Sequence, residues 1–204
     1  MAQGQRPRIG GGSFTRFVLA AVLVGLAGCS SAPRVSRPIV IAEAREPVEI
    51  RGGYKDDGPG ERSLEELDRI PEPTPRLESL LARANRPYQV EGQLYVPMRE
   101  LEAYRAEGLA SWYGRRYHGR PTASGEIYDM YALSAAHPLL PLPSYARVTH
   151  LGSGRAIVVR VNDRGPFVGG REIDLSYAAA HRLGIRTAGS ARVRVDLLLP
   201  GRDF

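Results

Sequence analysis

The sequence predicts an all-β fold for residues 108–201, a compact β-barrel carrying one or two short helices. Three observations point there. Residues 191–198 alternate Val193, Val195 and Leu197 against Arg192, Arg194 and Asp196, the period-two pattern of a strand with one buried and one wet face. Two apolar runs, 145–149 and 156–161, flank Gly152-Ser153-Gly154, a hairpin signal. The β-branched run Ile157, Val158, Val159 and Val161 reads as a buried strand, and it ends at Asn162-Asp163-Arg164-Gly165-Pro166, where turn-forming residues reverse the chain.

The elements follow in order. Arg6, Arg8 and Arg16 precede an apolar stretch over residues 17–25, too short to span a membrane comfortably, and then Leu26-Ala27-Gly28-Cys29. Residues 1–28 therefore read as an export signal. Cys29 is the only cysteine, so no internal disulfide forms. Residues 29–85 have the composition of a mostly disordered tether, interrupted by Pro33, Pro38, Pro47, Pro59, Pro71, Pro73 and Pro75. Within it, Ser63 and Glu66 form a capping-box pattern that predicts a short helix reaching Ile70. Leu77, Leu80 and Leu81 share a face of a second helical patch over 76–84; both patches could equally be transient. Residues 86–107 form a lead-in: two short strands around Glu91-Gly92, then a helical connector over 98–107. A strand over 109–114 ends in aromatics, a polar loop runs over 115–128, and a short helical piece is expected over 130–137. After Ile173-Asp174-Leu175, Ser176 is a helix N-cap and Gly184 a stop signal.

Charge is divided unevenly. Residues 108–201 hold twelve Arg against six acids, a balance of +6, whereas residues 29–107 hold twelve basic residues against fifteen acids, a balance of −3. The barrel is the basic part, a field that attracts anionic lipid or a carboxylate-bearing polymer. The sequence lacks the basic run or aromatic-interleaved stripe of a nucleic-acid binder, so nucleic acid is not an expected partner. His118, His137, His150 and His181 lack ligand-type spacing, and no phosphate-cradling loop or nucleophile elbow occurs, so neither a metal nor a cofactor is expected.

The residues that could carry chemistry are Glu126, Asp129, His137, Asp163 and Asp174. Cleavage of a glycosidic bond needs a proton donor and stabilisation of a positively charged sugar, and carboxyls supply both. Glu126 and Asp129 at i, i+3 can couple if the segment turns, and His137 can tune them. Each has a purely structural reading too. Glu126 can cap a turn, His137 can end a helix before Pro138, Asp163 can pair with Arg164, and Asp174 can cap the helix behind it. Trp112 and Tyr113, with Tyr117, Tyr128 and Tyr131, can stack on sugar rings or simply fill the core.

Several blocks in register, residues 108–114, 118–126, 132–137, 160–167 and 173–176, resemble the rare lipoprotein A family over about 95 residues. The resemblance implies a six-stranded double-psi β-barrel and lytic transglycosylase activity on peptidoglycan glycan strands stripped of stem peptides. It implies catalytic roles for Glu126, Asp129, His137, Asp163 and Asp174, with Asp129 beside Glu126 favoured as the acid and Asp174 more structural. Trp112, Tyr113, Thr122, Ser124 and Arg164 lie in the same blocks and are the expected substrate-binding residues. Leu26-Ala27-Gly28-Cys29 is similar to the bacterial lipobox, which implies lipidation of Cys29, and Ser30 after it favours the outer membrane. The sporulation-related repeat domain of longer members is not expected after residue 201. The rival reading is a non-catalytic glycan-binding or division-associated lipoprotein with an expansin-like barrel.

Overall fold

The computed structural model describes residues 57–201. The export signal, Cys29 and the first part of the expected tether lie outside the described residues. Six strands with apolar inner faces close on themselves, which leaves no exposed sheet edge. They are β3 (Arg105–Tyr113), β4 (Ser134–Ala136), β5 (Ser144–His150), β6 (Ala156–Asp163), β7 (Arg171–Ser176) and β8 (Ala191–Leu197), following a separate hairpin of β1 (Tyr88–Val90) and β2 (Gln93–Tyr95). Around the barrel the order is β3-β7-β4-β6-β5-β8. The pairs β3–β7 and β4–β6 are parallel and the other four pairings are antiparallel. Val148, Val159, Val161, Ile173, Leu175, Val193 and Val195 are wholly buried inside.

Both helices obey their local signals. In α1 (Leu64–Asp68) the Ser63 side chain accepts from the Glu66 N–H while Glu66 reaches back to the Ser63 backbone, the reciprocal cap the sequence predicts. In α2 (Tyr177–Leu183) Ser176 accepts from the Ala179 N–H, and Gly184 closes the helix at φ 86°, a left-handed conformation that suits glycine. Around Glu91-Gly92 both residues take positive φ, as the two-residue hairpin turn between β1 and β2 requires.

Three expected helices are absent. Residues 76–84 follow the barrel surface and make only a single turn at their end, where the Ala84 and Asn85 N–H groups donate to the Leu81 carbonyl; Leu77 is exposed and the Leu81 N–H donates to the Leu142 carbonyl at 2.9 Å. Residues 98–107 do not form a helix either, because from Arg105 onward their backbone pairs with β8. Residues 130–137 include β4, whose short Ser-Ala-Ala sequence is held extended by ladders to β6 and β7 on its two sides. Tertiary pairing overrides a weak local helical preference at each site.

The tether expectation also fails for residues 57–85, which wrap the barrel as a fixed strap. Asp57 accepts from the Gly114 and Arg116 N–H groups at 2.8 and 2.9 Å. Leu67 is wholly buried in the core, and Arg182 donates to the Asp68 and Ile70 carbonyls. Glu72 accepts from the Val158 N–H at 2.9 Å. Asn85 exchanges hydrogen bonds with Leu142, donating to its carbonyl and accepting from its N–H, both at 2.9 Å. These partners lie 57 to 114 positions along the chain, so local composition cannot announce them.

Candidate active site

Register places the polar residues of the central strands side by side. Asp163 on β6 is opposite Ala136 on β4, Ala136 is opposite Asp174 on β7, and Asp174 is opposite Ser111 on β3. Residues in register on neighbouring strands project to the same side, so Asp163 and Asp174 flank Ala136 on one face, two strand spacings or about 10 Å apart at the backbone. In the adjoining row Tyr113 is opposite Ser176, whose hydroxyl accepts from the Ser134 N–H at 3.4 Å. This face is polar although it is buried.

The two acids differ in their support. Burial pushes the Asp174 carboxyl up to about 6, against the pull of Arg171, whose Nη2 lies 3.3 Å from Oδ2. Oδ1 of Asp174 is buried without a hydrogen-bond partner among the described residues. Asp163 is also raised by burial, but its Oδ1 accepts from the Ala123 and Arg164 N–H groups, both at 2.8 Å, which favour the charged form. The Tyr113 phenol is pushed well above its ordinary value, first by burial and then by neighbouring charges that include both acids.

Glu126 and Asp129 line a separate cavity of about 370 Å³ with Ser134, Arg160 and Asn162, walled on one side by Ile70–Pro73 of the strap. Arg160 Nη2 donates to Glu126 at 2.9 Å and Asn162 Nδ2 donates at 2.8 Å. Partial burial opposes ionisation of Glu126, yet these bonds outweigh it and hold the carboxyl below the ordinary range. The same guanidinium donates to Glu78 of the strap at 2.5 and 3.0 Å, and Glu78 falls to about 2 chiefly through that bond. Asp129 is half-exposed; it accepts from the Tyr131 N–H at 2.9 Å and lies 3.6 Å from His118.

The His137 ring bonds to none of these four carboxyls. Its Nδ1 accepts from the Leu139 and Leu140 N–H groups at 3.0 and 2.9 Å, which puts the ring proton on Nε2, 3.1 Å from Glu172. Tyr104 donates to the same Glu172 oxygen at 2.5 Å. Full burial lowers the imidazole pKa despite the carboxylate beside it. Among the described residues no group of three or more His, Cys, Asp and Glu side chains is placed to hold a metal ion.

Residues 105–195, the whole barrel from its first strand to the middle of its last, match the family described as lytic transglycolase with a double-psi barrel. The barrel is an RlpA-like double-psi domain. The chain is 47% identical over 183 residues to the endolytic peptidoglycan transglycosylase RlpA of Pseudomonas aeruginosa, covering 89% of this chain and 52% of that protein. It is 51% identical over 128 residues to the Neisseria meningitidis protein of the same name, covering 63% of this chain and 54% of the other. The chain thus spans about half the length of the curated relatives it matches. Among solved structures, Streptomyces papain inhibitor aligns with 47% of this chain and 96% of its own at 21% identity and a TM-score of 0.40.

Within the RlpA-like barrel the residues expected to bind substrate are mostly engaged elsewhere. Trp112 packs edge-on against Tyr177 at 5.6 Å, and Tyr113 stacks on Tyr128 at 4.2 Å, both buried. Thr122 and Ser124 join their hydroxyls at 2.9 Å inside the turn that presents Glu126, and Ser124 Oγ also accepts from the Glu126 N–H. Arg164 donates to the carbonyls of Ala84, His137 and Leu140 and to Asn85 Oδ1. Burial pushes its guanidinium down to about 10, still charged at neutral pH. The residues missed from the sequence are Arg160, Glu78 and Glu172. Arg160 carried one readable signal: with Asn162 it occupies alternate positions on the non-core face of β6.

Proposed function

We propose that this chain is a lytic transglycosylase that cuts the MurNAc–GlcNAc β-1,4 bond of peptidoglycan glycan strands, with Asp174 as its proton donor. The observation that carries this reading is a carboxyl raised to about 6, with one oxygen unpartnered, on a polar face shared with a second acid. The names of the relatives and the family description support the reaction class. In the proposed step Asp174 protonates the glycosidic oxygen as the bond from C1 to that oxygen breaks. Positive charge then develops on the muramyl ring, and the Asp163 charge stabilises it. The C6 hydroxyl of the same sugar attacks C1 and gives its proton to the Asp174 carboxylate, which regenerates the acid and leaves a 1,6-anhydro end. Water is not consumed, so one carboxyl serves as acid and then base. Glu126, held ionised by Arg160 and Asn162, and the half-exposed Asp129 suit hydrogen bonding to sugar hydroxyls at the rim.

Purified strands incubated with the full-length protein are expected to release fragments ending in 1,6-anhydroMurNAc, read by mass spectrometry. Fragments with reducing ends would instead mark a hydrolase. Binding without any fragment would give the chain to the non-catalytic reading, which draws on one observation: Asp174 is only 8% exposed.

We also propose that Cys29 is lipidated and holds the protein to the outer membrane, within the cell envelope. The LAGC tetrapeptide after a short basic-apolar leader, with Ser30 following, supports this. A fatty-acid probe is expected to label the protein and Cys29→Ala to abolish the label; labelling that persists in the variant removes the anchor.

A further inference from the structure

The cavity that holds Glu126 keeps hydrogen-bonding capacity that nothing among the described residues uses. Ser134 and Asn162 line it and are only 4% and 5% exposed. Oγ of Ser134 and Oδ1 of Asn162 have no hydrogen-bond partner among the described residues, and neither has the Tyr113 hydroxyl beside Ser134. Register sets the two side chains on one face: Ser134 on β4 is opposite Arg160 on β6, and Asn162 is two residues beyond Arg160. One strand spacing across and two residues along puts their backbones about 8 Å apart. The charges around them are already matched. Arg160 spends its N–H groups on Glu78, Glu126 and Tyr145, and Asn162 Nδ2 is spent on Glu126. Glu72 and Asp129 add two more carboxylates to the lining, while Ile70, Pro71, Pro73 and Leu133 supply apolar surface.

One unspent hydroxyl donor and one unspent amide acceptor, with no unpaired cation between them, suit a neutral group that has a single C=O and a single N–H. A trans secondary amide points these in opposite directions. Held between a hydroxyl and a carbonyl, it spans about 8 Å from one partner oxygen to the other. The apolar lining fits a methyl group. A carboxylate would meet Glu72, Glu126 and Asp129 without a free guanidinium, so the cavity disfavours it. The place also suits the proposed chemistry, because Ser134 projects to the same side of β4 as Ala136, which Asp163 and Asp174 flank. We infer that Ser134 and Asn162 form a specificity subsite that reads the acetamido group at C2 of an amino sugar. Ser134 donates to the acetamido carbonyl and Asn162 Oδ1 accepts from its N–H. The inference rests on the proposed glycan substrate and names the substituent by which the chain tells that glycan from other β-1,4 glycans.

Three β-1,4 tetrasaccharides that differ only at C2 test it without any cleavage. The full-length protein is titrated with the tetramers of N-acetylglucosamine, glucosamine and glucose, which carry an acetamido, an amino and a hydroxyl group there. The acetamido tetramer is expected to bind about ten- to a hundredfold tighter than the glucose tetramer, the range for two neutral hydrogen bonds and a buried methyl group. Salt at about 0.5 M is expected to leave that gap unchanged, since the group read is uncharged. Ser134→Ala is expected to lose about tenfold of the discrimination with a melting temperature no lower than that of the unaltered chain, because the hydroxyl it removes bonds to nothing in the protein. Asn162→Ala is expected to lose discrimination too, at some cost in stability because it also releases Glu126. Equal binding of the acetamido and glucose tetramers, binding of none of the three, tightest binding of the glucosamine tetramer, or discrimination that survives in both variants overturns the inference. Anhydro ends released from peptidoglycan strands by a protein that binds the tetramers alike would sink the subsite and leave the proposed reaction standing. A preference for the acetamido tetramer without anhydro ends would do the reverse.

Discussion

Asp174→Asn is expected to release no detectable 1,6-anhydro ends from strands that the unaltered chain cuts, while the barrel remains folded. The amide keeps the shape and the acceptor toward Arg171 but has no proton to transfer, and general acid–base help contributes ~10²–10⁴-fold in rate. Asp163→Asn, Asp129→Asn and Glu126→Gln are expected to slow the reaction by smaller factors, since their groups stabilise or orient rather than donate. Should Asp129→Asn abolish product while Asp174→Asn retains it, the donor lies on the exposed rim and our assignment is wrong.

The same carboxyl leaves a thermodynamic mark. Its folded value, about 6, lies above its ordinary 3.8. The folded state therefore holds the proton more tightly, and the stability this provides is full below about pH 4 and lost as pH rises through 6. At 1.36 kcal/mol per unit the loss is on the order of 3 kcal/mol. Glu78, Glu126 and Glu172 are shifted down and produce the opposite slope at lower pH. The measurement is therefore the difference between the melting temperatures of the unaltered chain and Asp174→Asn, followed from pH 4 to 7. The unaltered chain is expected to lose ground to the variant across that window. The cutting rate is expected to decline above about pH 6 as the donor loses its proton.

Leu67→Ala is expected to lower stability by about 2–5 kcal/mol, the range for a fully buried leucine truncated to alanine. The substitution also attacks the middle of the strap. Proteases are then expected to cut within residues 57–85 while the barrel from residue 105 onward stays intact. In the unaltered protein the protected core is expected to begin at or before residue 57. A melting temperature within a degree of the unaltered chain, with the same protected core, would show that Leu67 contributes little to holding the strap.

What could be read from the sequence followed the range of the interactions involved. β8 was legible because Val193, Val195 and Leu197 alternate with polar residues, and α2 because Ser176 and Gly184 bracket it. β4 was not, since Ser-Ala-Ala has no periodicity and owes its conformation to its two neighbours. The strap looked like tether because its prolines are local while its anchors, Asp57, Leu67 and Asn85, act on residues far along the chain. The candidate acids were all named from the sequence, yet their grouping was not. A register irregularity between Ala135 and Ala136 sets Asp163 beside Ala136 and hence level with Asp174, and no spacing rule reports a bulge. Nor could spacing show that Arg160 is shared between Glu126 and a strap residue 82 positions away.

The strap's grip is serial, and that gives it a mechanical meaning. A pull on the chain at residue 57 would peel it one clasp at a time: first Asp57, then the Leu67 plug, then Glu72, then Glu78, and finally Asn85. Lifting Ile70–Pro73 removes one wall of the Glu126 cavity, and the next clasp to go strips Glu78 from Arg160. Tension would thus widen the cleft before altering its charge, and would do both before the barrel's own strands felt any load.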